Sequence, residues 1–109
     1  METDPHFAVH IVDVDGTVVV AVRGEVDMGS APQLRAVVVD AVASSPHLTL
    51  DLGAVTFMDS SGLAIIATAV RDCGDGGSVT IVDAPGVVNR LLDVTGLGSV
   101  VQRRRSADG

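Results

Sequence analysis

The chain contains no lysine, tryptophan or tyrosine, and its only cysteine is Cys73. Each absence excludes something. With no lysine, a G-x-x-x-x-G-K-[ST] phosphate loop is impossible, and all seven basic residues are arginines. With Phe7 and Phe57 as the sole aromatics, stacking platforms for single-stranded nucleic acid are missing and the core must be aliphatic. One cysteine rules out an intramolecular disulfide framework and fits a reducing compartment. No run reaches the ~20 apolar residues of a membrane-spanning helix. The opening METDPHFAVH lacks the positive and apolar regions of a secretory leader. The formal net charge of −7 argues against DNA as a general partner, because phosphate binding needs a basic surface. The expectation is a soluble, cytoplasmic protein with no direct nucleic-acid contact and no membrane insertion.

What is present suits one α/β domain. The chain has 109 residues, 47% of them hydrophobic, enough for a single core. Ala8 to Val14 reads as a strand, Asp15-Gly16 as a hairpin turn and Thr17 to Arg23 as the return strand. Gly24 to Asp27 is expected to leave the sheet. Ser30 and Pro32 mark a helix start, with Leu34, Val37, Val38 and Ala41 inward. Ser44-Ser45-Pro46 ends it. His47 to Leu52 reads as a short buried strand and Ala54 to Met58 as an apolar loop. A helix over about Ser60 to Cys73 puts Leu63, Ile66, Ala67 and Val70 on one stripe, and Gly74 stops it. Ser78 to Val82 is a strand. Pro85 opens a helix with Val88, Leu91 and Leu92 inward, and Gly96 closes it. Ser99 to Gln102 is a possible last strand. The order is β-β-α-β-α-β-α-(β): a mixed four- to five-stranded sheet with helices packed on one face. Residues 1–7 and 103–109 are expected to be flexible ends around a domain at 8–102. Arg103 to Arg105 reads as a solvated tail.

An enzyme has little support. His6, His10 and His47 are far in pattern from any serine elbow, and G-x-S-x-G is absent. No His/Cys group has metal-ligand spacing, and the acidic residues are not paired in an acid/base pattern. No catalytic residue, metal or cofactor is expected.

The informative stretch is Asp59-Ser60-Ser61-Gly62, at a helix start just after an apolar segment. Helix starts carry unpaired N–H groups and partial positive charge. They suit a capping side chain worth ~1 kcal/mol or a phosphate. The plain reading is a cap. Three features count against a cap alone. More polar groups gather than a cap needs. Phe57 and Met58 are placed to pack beneath the turn. Gly62 sits in a first helical turn, where it is ~1 kcal/mol worse than Ala, which leaves bare backbone for another molecule to approach.

DLGAVTFMDSSGLAII, with GEVD at Gly24–Asp27 and RLLDVTGL at Arg90–Leu97, resembles the STAS family, specifically its bacterial anti-sigma factor antagonists, over about residues 8–102. D-S-S-G alone is a weak string; the three segments in order are a strong one. The resemblance implies a protein that binds an anti-sigma factor which is also a serine kinase, freeing a sigma factor for transcription. It implies phosphorylation of Ser60, the serine directly after the motif aspartate, and a phosphatase that reverses it. Asp59, Ser60, Ser61 and Gly62 would border the partner surface, with Asp27 near it. A phosphate adds about −1.5 to −2 charges. The helix N–H groups are expected to hold it, so binding rather than folding would be switched. The alternative is a non-phosphorylated STAS subunit of a lipid- or anion-transport assembly. A nucleotide-binding STAS domain is a third reading, disfavoured because no phosphate loop is visible.

Overall fold

The computed structural model describes residues 6–15 and 17–106. Its elements are β1 (Phe7–Val14), β2 (Thr17–Val26), α1 (Ala31–Ser44), β3 (His47–Met58), α2 (Ser60–Cys73), β4 (Ser78–Val82), α3 (Gly86–Thr95), a 3₁₀ turn (Leu97–Ser99) and β5 (Gln102–Arg104). They form one mixed five-stranded sheet in the order β1-β2-β3-β4-β5. β1 and β2 are antiparallel, with Phe7 opposite Gly24 and Val14 opposite Thr17. Asp15 has a φ of 53°, as a tight hairpin requires; its expected partner Gly16 lies outside the described residues. The remaining neighbours are parallel, and each parallel step is bridged by a helix.

The register explains where the core lies. Val20, Leu50 and Ile81 fall in one row across the sheet, and Leu48 and Val79 in the next; all five are buried. Side chains alternate between faces along a strand, so these share one face. On that face they meet Leu34, Val38 and Ala41 of α1, Leu63, Ile66 and Ala69 of α2, and Val88 and Leu92 of α3 in a single cluster. The other face carries Val19, Ala21, Asp51 and Thr80, which are partly exposed, although Thr49 and Val82 there are buried.

Several expectations need correction. Gly24 to Val26 does not leave the sheet, and Ala54 to Met58 is not a loop. β2 and β3 continue together, with Arg23 opposite Ala54, Gly24 opposite Val55, Glu25 opposite Phe57 and Val26 opposite Met58. Two register shifts interrupt that ladder, and bulges of this kind break the two-residue periodicity that marks a strand. On α2, Ala67 is exposed and Val70 half-buried; Gly62, Ile65, Ala69 and Cys73 complete the buried stripe instead. Burial and the neighbouring Asp72 charge push the Cys73 thiol above its ordinary range. The last strand is Gln102–Arg104, not Ser99 to Gln102, because Leu97–Ser99 turns as 3₁₀ helix first. Arg103 and Arg104 are therefore paired with β4 rather than lying in a tail. The Arg103 guanidinium reaches Asp93 at 2.9 Å and Asn89 at 3.3 Å, which ties β5 to α3. Beyond β5, the Asp83 carboxylate accepts from the Ser106 N–H at 2.8 Å. Hydrogen bonding to the Ser106 side chain, then this N–H bond, with Arg105 and Arg104 near, holds the carboxyl below its usual range.

Gly24 is the position on which the long β2–β3 ladder turns. Its φ is 95°, and a Cβ there would collide with the backbone carbonyl of His6. We expect Gly24→Ala to lower stability by about 2 kcal/mol or more, since backbone strain and overlap add. Urea unfolding measures it; an unchanged midpoint would contradict this role.

Candidate functional site

Two loops meet at the C-terminal ends of β2 and β3. Val26 is 0% and Met58 3% exposed, so both strand ends are anchored in the core. The Asp59 N–H donates to the Val26 carbonyl at 3.1 Å, which extends the ladder one step and fixes where α2 begins.

The β2–α1 loop is held by its own polar groups. One Asp27 carboxylate oxygen accepts from the Gly29 N–H at 2.9 Å and the Ser30 N–H at 3.1 Å. The Ser30 hydroxyl donates to the Glu25 carbonyl at 2.8 Å and accepts from the Asp27 N–H at 3.0 Å. Ser30 was expected to cap α1. It occupies the N-cap position without a side-chain cap, because its hydroxyl is buried and drawn back to the Glu25 carbonyl. Bonding of an aspartate to the amides two and three residues on leaves the intervening residue facing outward. Met28 is accordingly 80% exposed.

At the start of α2, Asp59 is the N-cap and its carboxylate accepts from the Ser61 N–H at 2.8 Å. The Asp59 carbonyl takes the Gly62 and Leu63 N–H groups at 3.1 and 3.4 Å. The cap reading of this segment, open between Asp59 and Ser60, therefore holds for Asp59. Ser60 is exposed, and its hydroxyl makes no hydrogen bond to a described residue. The first-turn amides expected to hold a phosphate are largely taken by Asp59, so a group added at Ser60 would project outward beside that carboxylate. Ser61 is half-buried.

Gly62 is buried, and its expected service to an incoming molecule is not what the packing shows. A Cβ there would lie 2.7 Å from Met58 Cγ and 2.9 Å from Val26 Cγ1. The close approach is internal: α2 settles onto the two strand ends at this glycine. Met58 packs beneath the turn as expected. Phe57 does not; it is 46% exposed, since it lies on the opposite side of β3.

Of the five residues singled out in the sequence, Asp27 thus lies in the β2–α1 loop, while Asp59 caps α2 and Ser60, Ser61 and Gly62 form its first turn; the Val26–Asp59 hydrogen bond joins the two segments. Met28 and Phe57 flank them as exposed apolar side chains. Met28 was not singled out, and Phe57 only as a residue packed beneath the turn. The D-x-G-S spacing carries the signal for Met28, whereas the bulged strand hides the facing of Phe57. His47 and Ser78 hydrogen-bond through Nδ1 and Oγ at 3.0 Å, but His47 begins β3 and so lies at the other end of the sheet from Ser60. Among the described residues, no three His, Cys, Asp or Glu side chains form a group that could hold a metal ion. No helix of the described residues is long and apolar enough to cross a membrane.

Comparison with known proteins decides the family. A STAS domain model matches residues 8–108. The chain belongs to the STAS family. The anti-sigma-F factor antagonist RsfB of Mycobacterium tuberculosis is 31% identical over 98 residues, covering 89% of this chain and 80% of RsfB. The anti-sigma-B factor antagonist of Bacillus subtilis is 32% identical over 91 residues, covering 83% of this chain and 84% of that protein. In solved structures, an anti-sigma factor antagonist from Mycobacterium paratuberculosis superposes with a TM-score of 0.84 at 35% identity, covering 94% of this chain and 90% of its own.

The site geometry separates two STAS-domain residues that adjoin in sequence. Gly62→Ala gains helix propensity, ~1 kcal/mol, but must displace Met58 and Val26. Overpacking of this kind costs about 1–3 kcal/mol, so a net loss of stability is expected. Ser60→Ala, exposed and unbonded, should stay within about 0.5 kcal/mol of wild type. Thermal or urea unfolding of the pair checks this; equal effects would contradict it.

Proposed function

We propose that this STAS protein is an anti-sigma factor antagonist whose binding face is built on the Asp27 and Asp59 loops, with Ser60 as its phosphorylation switch. The unphosphorylated protein binds an anti-sigma factor that is also a serine kinase, and so releases a sigma factor. Phosphorylation of Ser60 ends that binding and a serine phosphatase restores it. The protein acts by binding, not by catalysis, and works in the cytoplasm.

The observation that carries the reading is the state of Ser60. Its hydroxyl is exposed and unbonded on a firm base of Met58, Val26 and Gly62. A kinase can reach it without unfolding anything. Once modified, it would bring about −1.5 to −2 charges at neutral pH to a segment that already holds Asp59 and Asp27. Residues 24–30 and 57–64 contain no arginine to neutralise them. A partner surface matched to a neutral hydroxyl and to apolar Met28 and Phe57 would meet repulsion and an unpaired buried charge, which costs several kcal/mol in affinity. The relatives' names, anti-sigma-F and anti-sigma-B factor antagonist, support the partner class.

Calorimetry against a cognate anti-sigma factor kinase tests it. Wild type and Ser60→Ala should bind alike, and Ser60→Asp at least tenfold more weakly. ATP with the kinase should add one phosphate to wild type and none to Ser60→Ala. Equal binding of Ala and Asp variants would overturn the switch. Co-purification with membrane permease subunits in place of a kinase would favour a transport-assembly subunit.

A further inference from the structure

We infer that β1 pairs edge to edge with β1 of a second copy of this chain, giving a reversible dimer with a twofold axis at Ile11. This pairing does not depend on the function proposed above.

The two edges of the sheet are unlike. β5 is three residues long and carries Arg103 and Arg104, a short charged edge of the kind that resists pairing. β1 is eight residues, Phe7–Val14, and its ladder to β2 runs without a register shift. It holds no proline and no arginine. Among the described residues no strand lies on its outer side. Ile11 is 54%, Val12 47% and Val14 51% exposed, so three large apolar residues within four positions stand half in solvent. Ile11 shares the helix-bearing face with Val20, its cross-strand neighbour, whereas Val12 and Val14 lie on the other face. Apolar exposure on both faces of an unguarded edge is the pattern of a strand that accepts another strand.

The phase of the hydrogen bonds and the facing of the side chains together narrow the register. Val14 and Thr17 flank a two-residue connection, so they form the closing hydrogen-bonded pair of the hairpin. In an antiparallel ladder bonded and non-bonded pairs alternate. Val12 and His10 therefore bond inward to β2, while Val9 and Ile11 turn their N–H and C=O outward. A twofold axis perpendicular to the sheet keeps each face on its own side, so opposed residues must share a face. With the axis at Ile11, residues 8–14 of the two copies overlap along their full length. Ile11 meets Ile11, His10 meets Val12, Ala8 meets Val14 and Asp13 meets Val9. No like charges are opposed, which is what makes the edge complementary to itself. A single ladder is smaller than the roughly 1,600 Å² of a standard stable interface, so the association is concentration-dependent.

The geometry leaves the other site open. Ile11 lies in the row of Val20 and Leu50, mid-sheet, whereas Ser60 follows the far end of β3. A dimer therefore presents two Ser60 faces at once.

Sedimentation velocity of the full chain over a hundredfold range of concentration tests the proposal. Wild type should pass from monomer to dimer. Ile11→Lys, which opposes two cations at the axis, should remain monomeric over the same range with an unchanged unfolding midpoint. A second variant reads the register directly. Opposed Cα atoms in a bonded antiparallel pair are about 5.5 Å apart, within disulfide range. Ile11→Cys should cross-link to a dimer under mild oxidation, while Val94→Cys, at a position 78% exposed, should not. A wild type that stays monomeric, an Ile11→Lys that self-associates like wild type, association only into larger aggregates, or cross-linking of Val94→Cys as fast as Ile11→Cys would each overturn it.

Discussion

The pairing of Val26 with Met58, at the far ends of β2 and β3, is the contact on which the candidate site depends. Both side chains are buried, and the next residue, Asp59, continues the ladder by donating its N–H to the Val26 carbonyl. That one hydrogen bond sets where α2 starts, and so where Ser60 stands. It also brings the Asp27 loop beside the Asp59 loop. Gly62 lets α2 close onto the same two residues from above. If the strands ended where their simple alternation ends, the two loops would be independent, and Ser60 would sit on a mobile turn.

Much of this was legible in the sequence, and what was not has a common cause. β4 and α2 appear with the boundaries their patterns predict, since neither is interrupted. The mixed sheet with helices on one face follows from strand–helix alternation. The last third of β2 and half of β3 were missed, because the register shifts there destroy the alternation on which a strand reading relies. Gly24 was visible, but its meaning is conformational: a φ of 95° inside a strand looks in sequence like the end of one. Ser30 was assigned a cap by its position before a helix. A competing bond to Glu25, made by the tertiary path of the loop, won. Gly62 was noticed for its poor helix propensity, yet its neighbours come from β2 and from the end of β3, which no local pattern reveals.

The same arrangement keeps the proposed switch apart from the stability of the fold. Asp59 caps α2 with its carboxylate and takes two further amides with its carbonyl. The helix start is thus satisfied whether or not Ser60 is modified. A phosphate finds few free donors there and no arginine within the two loop segments. It has little to draw it inward, and its charge falls on the surface a partner would meet. Binding and folding are governed by different atoms of one four-residue segment. The sequence resemblance suggested the switch; the hydrogen bonds of Asp59 supply a physical reason for it to act at the surface.

The most direct test of that separation is a comparison of backbone amide spectra of the protein with and without phosphate on Ser60. The account predicts shifts confined to residues 26–30 and 57–64, with the rest of the sheet and α1 beyond residue 34 unmoved. Shifts spreading through β1, β4 or α3 would contradict it, because they would mean that the phosphate rearranges the fold rather than the face.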